Sequence, residues 1–165
     1  MRRLLCIIGL VLAAASASAV AARAQGAGDL SRDWDLRAGF FVPERGDVRA
    51  AQGDVMFTAG AERAFYVVDR WQASISIDYY GAGSIYNVPI TLNLRGDTGR
   101  LRYGAGAGIG LGHDLTHGLT SFSFNLLVGY YLTTGSNPIT ADVRYMGVAA
   151  SEDLNGWAFT LGYHF

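Results

Sequence analysis

Trp157-Ala158-Phe159-Thr160-Leu161-Gly162-Tyr163-His164-Phe165, the last nine residues of the chain, alternate without a break. Each odd position is large and apolar, and each even position is small or polar. A period of two is the mark of a strand with one greasy and one polar face. Nine residues at roughly 3.3 Å each span about 30 Å. A tilted strand needs that length to cross the hydrocarbon core of a bilayer.

Seven upstream segments share the period. Trp34, Leu36, Ala38, Phe40 and Val42 alternate with Asp35, Arg37 and Gly39. A weaker segment runs from Asp54 to about Arg63, with Val55, Phe57, Ala59 and Ala61 on one face and Glu62 on the other. Trp71, Ala73, Ile75, Ile77 and Tyr79 oppose Gln72, Ser74, Ser76 and Asp78. Tyr86, Val88, Ile90, Leu92 and Leu94 oppose Asn87, Thr91, Asn93 and Arg95. Leu101, Tyr103, Ala105, Ala107, Ile109 and Leu111 oppose Arg102 and four glycines. Phe122, Phe124, Leu126, Val128 and Tyr130 oppose Ser121, Ser123, Asn125 and Gly129. Ile139, Ala141, Val143 and Tyr145 oppose Thr140, Asp142 and Arg144. Eight amphipathic segments of about ten residues predict an all-β, eight-stranded antiparallel up-and-down transmembrane barrel.

The connections sort by length. Gly96–Gly99 and Thr134–Pro138 are turn material, as short periplasmic turns are. Pro43–Gly53, Gly112–Thr120 and Ala149–Asn155 are longer and more polar, as outer loops are. Gly81–Ser84 is short for an outer loop.

A soluble secreted barrel would alternate as well, with its apolar face inside and its charges outside. Here the apolar face is nearly continuous Val, Ile, Leu, Phe, Tyr and Trp, more than an eight-stranded interior can hold. It is therefore expected outside, in lipid. The inward face then carries Asp35, Arg37, Glu62, Asp78, Arg95, Arg102, Asp142 and Arg144. Aromatic residues at the strand ends predict two interfacial girdles. One holds Trp34, Trp71, Tyr103, Tyr130, Tyr163 and Phe165, and the other holds Tyr79, Tyr86 and Trp157.

The N-terminus has Arg2 and Arg3, an apolar run from Leu4 to Val11, and Ala22-Arg23-Ala24 before Gln25. That order predicts a secretory signal peptide over residues 1–24, cleaved to leave residues 25–165 as one barrel domain. The apolar run is too short for a membrane anchor. Cleavage leaves 141 residues (165 − 24) and removes Cys6, so no disulfide is expected. Removing Arg2, Arg3 and Arg23 from 13 basic residues leaves ten against 14 carboxylates, a net charge of about −4, with no lysine. No basic cluster of the kind nucleic acid requires is present.

With its signal peptide, its Val88-Pro89-Ile90-Thr91-Leu92-Asn93-Leu94-Arg95 strand, its glycine-rich Tyr103–Gly108 strand and its terminal Leu161-Gly162-Tyr163-His164-Phe165, the chain resembles the small outer-membrane barrels. That group takes in opacity-type proteins and the OmpA and OmpX barrels. The resemblance covers the mature chain. It implies residence in the outer membrane of a Gram-negative envelope, among lipid and lipopolysaccharide. Delivery by periplasmic chaperones to the barrel assembly machinery is also implied, with Leu161, Tyr163 and Phe165 as the assembly signal. The group hosts adhesion, resistance and structural roles, so it does not specify an activity.

Buried charges in a narrow barrel must be paired or hydrated. Mixed signs predict a salt-bridged plug in which Arg37, Arg102 and Arg144 face Glu62, Asp35, Asp78 and Asp142. The alternative is a narrow, porin-like constriction of low conductance. The inward glycines Gly104, Gly106, Gly108 and Gly110 either leave a cavity or, as expected here, make room for Tyr80, Phe41, Tyr131 and Met56. His113, Asp114 and His117 form the one other cluster with chemical potential. A spacing of four brings two histidines together only on a helix, and this stretch reads as a loop. No His-x-Ser pair and no amphipathic N-terminal helix resembles the lipid A-modifying barrels. No catalytic residue, metal or cofactor is assigned, and a structural or surface-interaction role is expected.

Overall fold

The computed structural model describes residues 34–165. The expected signal peptide, residues 1–24, lies outside the described residues. Eight strands run in order: β1 Trp34–Pro43, β2 Met56–Val68, β3 Trp71–Ala82, β4 Ile85–Thr98, β5 Leu101–His113, β6 Gly118–Tyr131, β7 Ile139–Val148 and β8 Gly156–His164. Each pairs antiparallel with its sequence neighbours and β8 returns to β1, so the sheet closes on itself. Closure leaves no exposed edge around the wall. At the seam, Trp34 and Phe165 exchange backbone hydrogen bonds of 3.2 and 3.0 Å. The register then runs from Asp35 opposite His164 to Pro43 opposite Gly156.

Side-chain exposure follows the alternation. Leu92 is 62% exposed and Leu161 60%, whereas Arg95 is 2% and Glu62 1% exposed. Bulky apolar side chains cover the outside on every strand, a far larger patch than a soluble protein tolerates. In lipid that surface has no cost and the arrangement is a membrane barrel.

Several boundaries differ from those read off the sequence. β2 runs from Met56 to Val68, past the expected end at Arg63, and a bulge between Ala64 and Tyr66 interrupts its register. The bulge ends the alternation, and Phe65, Tyr66, Val67 and Val68 are all exposed. β4 continues to Thr98, which shrinks the Gly96–Gly99 turn to Gly99 and Arg100, with Gly99 at a φ of 62°. β5 and β6 stay paired up to His113 opposite Gly118. The expected Gly112–Thr120 loop is therefore only residues 114–117. The Pro43–Gly53 loop contains a short helix, α1, Gly46–Gln52, and the Ala149–Asn155 loop contains a 3-10 turn, Glu152–Leu154.

Candidate functional site

The inward side chains are arranged in layers, because each strand delivers alternate side chains inward. Nearest the termini, the Arg102 guanidinium donates to Asp35 Oδ2 at 3.1 Å, to Thr140 Oγ1 at 3.2 Å and to His164 Nε2 at 2.8 Å. Asp142 lies 3.5 Å away. An arginine only donates, so the His164 nitrogen facing it is the unprotonated acceptor. The Arg102 guanidinium lies over the Tyr131 ring, 5.7 Å from the ring centroid.

Above it, Glu62 receives two arginines. Arg95 donates through Nε and Nη2 at 2.9 and 3.0 Å, and Arg37 through Nη1 at 3.0 Å. Arg37 also holds Asp78 as a fork, with both bonds at 2.8 Å. Such paired bonds are the strong, geometrically specific form of carboxylate recognition. Arg144 is different. It lies 3.6 Å from Glu62, 3.7 Å from Asp142 and 4.0 Å from Asp78, and none of its three guanidinium nitrogens makes a hydrogen bond among the described residues.

The eight charged side chains expected inside are thus all buried, four guanidinium groups with four carboxylates. His164 joins them, a residue the sequence reading placed on the polar face without a role. Its even position in the terminal strand was the available signal.

A ladder of neutral groups follows. Asn125 donates to Thr91 at 3.1 Å and to Asn93 at 3.0 Å, and Asn93 donates to Ser76 at 3.1 Å. The inward glycines of β5 make room for this ladder and for Arg95, not for Tyr80, Phe41, Tyr131 and Met56 as expected. A Cβ at Gly104 would lie 2.8 Å from Arg95, one at Gly106 2.6 Å from Asn125, and one at Gly110 2.6 Å from Asn87. Glycine there lets polar side chains cross the lumen against bare backbone.

The outer end is apolar. Phe41, Met56, Tyr80, Ile85, Met146, Val148 and Ala158 from the strands pack around Val48 of α1 and Leu154 of the 3-10 turn.

A solved structure shares this architecture. The Yersinia pestis outer membrane protein Ail, determined in a phospholipid bilayer nanodisc, superposes with a TM-score of 0.52 at 11% identity, over 81% of this chain and 99% of Ail. The chain has the fold of the small eight-stranded outer-membrane barrels. Neisserial surface protein A gives a TM-score of 0.47 at 16% identity, over 80% of this chain and 93% of that one. No protein-family model and no curated protein sequence matches the chain.

On this barrel the aromatic residues gather at two heights. Trp71 meets Tyr103 edge-on at 5.7 Å and Tyr163 stacks with Phe165 at 5.9 Å near the termini. Arg63 lies over Trp34 at the same rim, 5.2 Å from the ring centroid. At the other end Tyr79 stacks with Tyr86 at 6.4 Å, and Trp157 meets Tyr145 at 5.2 Å. Leu161, Tyr163 and Phe165 all face outward on β8 and the seam.

The histidine cluster is a tight turn. His113 Nδ1 pairs with the Asp114 carbonyl at 2.7 Å and His117 Nδ1 with Thr116 Oγ1 at 2.6 Å. Among the described residues, no three His, Cys, Asp or Glu side chains converge as a metal would require.

Proposed function

We propose that the chain is delivered through a cleaved signal peptide, residues 1–24, to the outer membrane, where it serves as a closed structural barrel without enzymatic activity. The observation that carries this is the lumen. Forked Arg–carboxylate pairs, a hydrogen-bonded amide ladder and an apolar stopper occupy it in succession. An ion would have to break buried pairs whose opening leaves a bare charge. Outer connections are short, two residues after β3 and four after β5. Surface interaction is therefore confined to the α1 loop and the 149–155 loop. The exposed belt and its two aromatic rims are read as the contacts to lipid and, on the outer side, lipopolysaccharide. Periplasmic chaperones and the barrel assembly machinery are the expected partners in delivery.

Planar-bilayer recording tests closure. A closed barrel gives no steady single-channel steps. Steady steps that disappear when Arg37 or Arg144 is replaced would establish the narrow pore in its place.

A further inference from the structure

The wet end of the lumen is where apolar filling is least expected, because polar side chains next to water would close it as well. Closure does not need it either, since the charged layers below already block the bore. The cluster divides by origin. Seven strand side chains form the walls, and two loop side chains, Val48 and Leu154, fill the space between them. α1 is tied to its own loop and to the 3-10 turn: Arg49 donates to the Pro43 and Glu44 carbonyls at 2.7 Å, and Arg45 pairs with Asp153 at 3.2 Å, so the two loop pieces move together. α1 has seven residues, buries only Val48 and has no side-chain cap at its N-terminus. The Tyr80 hydroxyl donates to the Leu154 carbonyl at 2.9 Å and accepts from Asn87 Nδ2 at 2.9 Å. Asn87 is fully buried, yet among the described residues its Oδ1 has no hydrogen-bond partner. A buried amide oxygen without a donor is a costly group that a ligand hydroxyl would satisfy.

We propose that the outer half of the lumen is a binding pocket for a medium-chain alkyl alcohol, with α1 and the Glu152–Leu154 turn as its displaceable lid. The alkyl chain takes the volume of Val48 and Leu154 between Phe41, Met56, Ile85, Met146 and Val148. The hydroxyl accepts from Tyr80 in place of the Leu154 carbonyl and donates to Asn87 Oδ1. The charged layers beneath stop the ligand from passing through, so the pocket is blind. The inference rests on the closed-barrel reading only for that blind end.

Met56 and Met146 are the two methionines of the chain besides Met1, and both line the pocket. Carbon-13 methyl labelling therefore gives two signals that report on it directly. In nanodiscs of deuterated lipid, titration with 1-octanol is expected to shift both signals saturably and to give Overhauser contacts from the octanol chain to both methyls. Val48→Ala weakens the lid and lowers the octanol concentration at half-saturation about tenfold. n-Octane, which lacks the hydroxyl, binds more weakly than octanol to the wild type, and Tyr80→Phe narrows that difference to what the bond to Asn87 Oδ1 supplies. Heat-modifiable gel mobility verifies that each variant is folded. Unsaturable shifts without Overhauser contacts in the wild type would overturn the proposal. So would octane binding as well as octanol. Bilayer conductance is a separate readout: channel steps would end the closed-barrel reading while leaving the methyl titration to stand or fall alone.

Discussion

Glu62 and Arg144 are both buried in the same layer, and they are held in opposite ways. Glu62 accepts three bonds from Arg37 and Arg95 and one from the Ser74 hydroxyl. Arg144 has Coulombic neighbours but, among the described residues, no hydrogen bond. Breaking one partner of a buried, bonded pair costs about 3–5 kcal/mol, because the charge left behind is uncompensated. Removing an arginine that makes only Coulombic contacts breaks no hydrogen bond, so it costs less than removing a bonded partner. Glu62→Gln is therefore expected to lower stability by about 3–5 kcal/mol in urea unfolding from lipid vesicles. Arg144→Met should lose clearly less than Glu62→Gln, because it leaves the Arg37 and Arg95 bonds to Glu62 intact. Equal losses would show that Arg144 is as firmly tied as Glu62. At this scale parity made the membership of the network legible, since each charged residue sits two or four positions from another inward one. Partner choice was not legible. Arg102 reaches His164 across 62 residues of sequence, a meeting set by the stagger around the closed barrel rather than by local pattern.

The strands were legible as elements because apolar and polar residues contrast along them; where contrast fails, their ends were missed. Gly112 and Gly118 look like loop residues, yet their backbones continue the β5–β6 ladder. α1 was missed for a different reason. Seven residues with one buried side chain, Val48, make too little helical periodicity to see. The shortened β5–β6 turn leaves Asp114 as its organiser. Its Oδ1 accepts the amides of Thr116 at 2.7 Å and His117 at 2.9 Å, and the Thr116 hydroxyl at 2.9 Å. Desolvation pushes this carboxyl up, but the His117 and Thr116 bonds outweigh it and hold it well below the usual carboxylate range. A group whose folded pKa is depressed contributes stability that is present above its unfolded value. That stability is lost as pH falls through the folded value. Hydrogen exchange at the Thr116 and His117 amides should thus stay slow as pH falls through about 4, the ordinary carboxylate range, and accelerate only at lower pH. Asp114→Asn should abolish that acid transition. A midpoint at the ordinary carboxylate value would mean that the amide bonds do not favour the charged form.

For the molecule as a whole, eight paired strands carry the fold, and the seam between the first and last is where the chain's end matters. Trp34 and Phe165 close it through backbone groups, while the Phe165 ring faces outward and stacks on Tyr163 at 5.9 Å. Backbone and ring can therefore be separated. Phe165→Ala keeps both seam hydrogen bonds and removes only an exposed aromatic contact, worth about 0.5–1.5 kcal/mol. If the ring merely faces lipid, the variant should fold into vesicles almost as well as the wild type, and its yield in the outer membrane of cells should fall equally little. If Leu161, Tyr163 and Phe165 are read by the assembly machinery, the two measurements part. Vesicle folding, scored by the heat-modifiable band, stays near wild type, while outer-membrane yield drops several-fold and Phe165→Trp restores it. Parallel small effects in both assays would leave the terminal strand with a lipid-facing role alone. The closed register is what makes the two outcomes distinguishable: β8 is already fixed to β1 from Asp35 to Pro43 and to β7 from Ile139 to Met146. The last ring adds little to a barrel that has formed, so a large cellular defect would have to arise before closure.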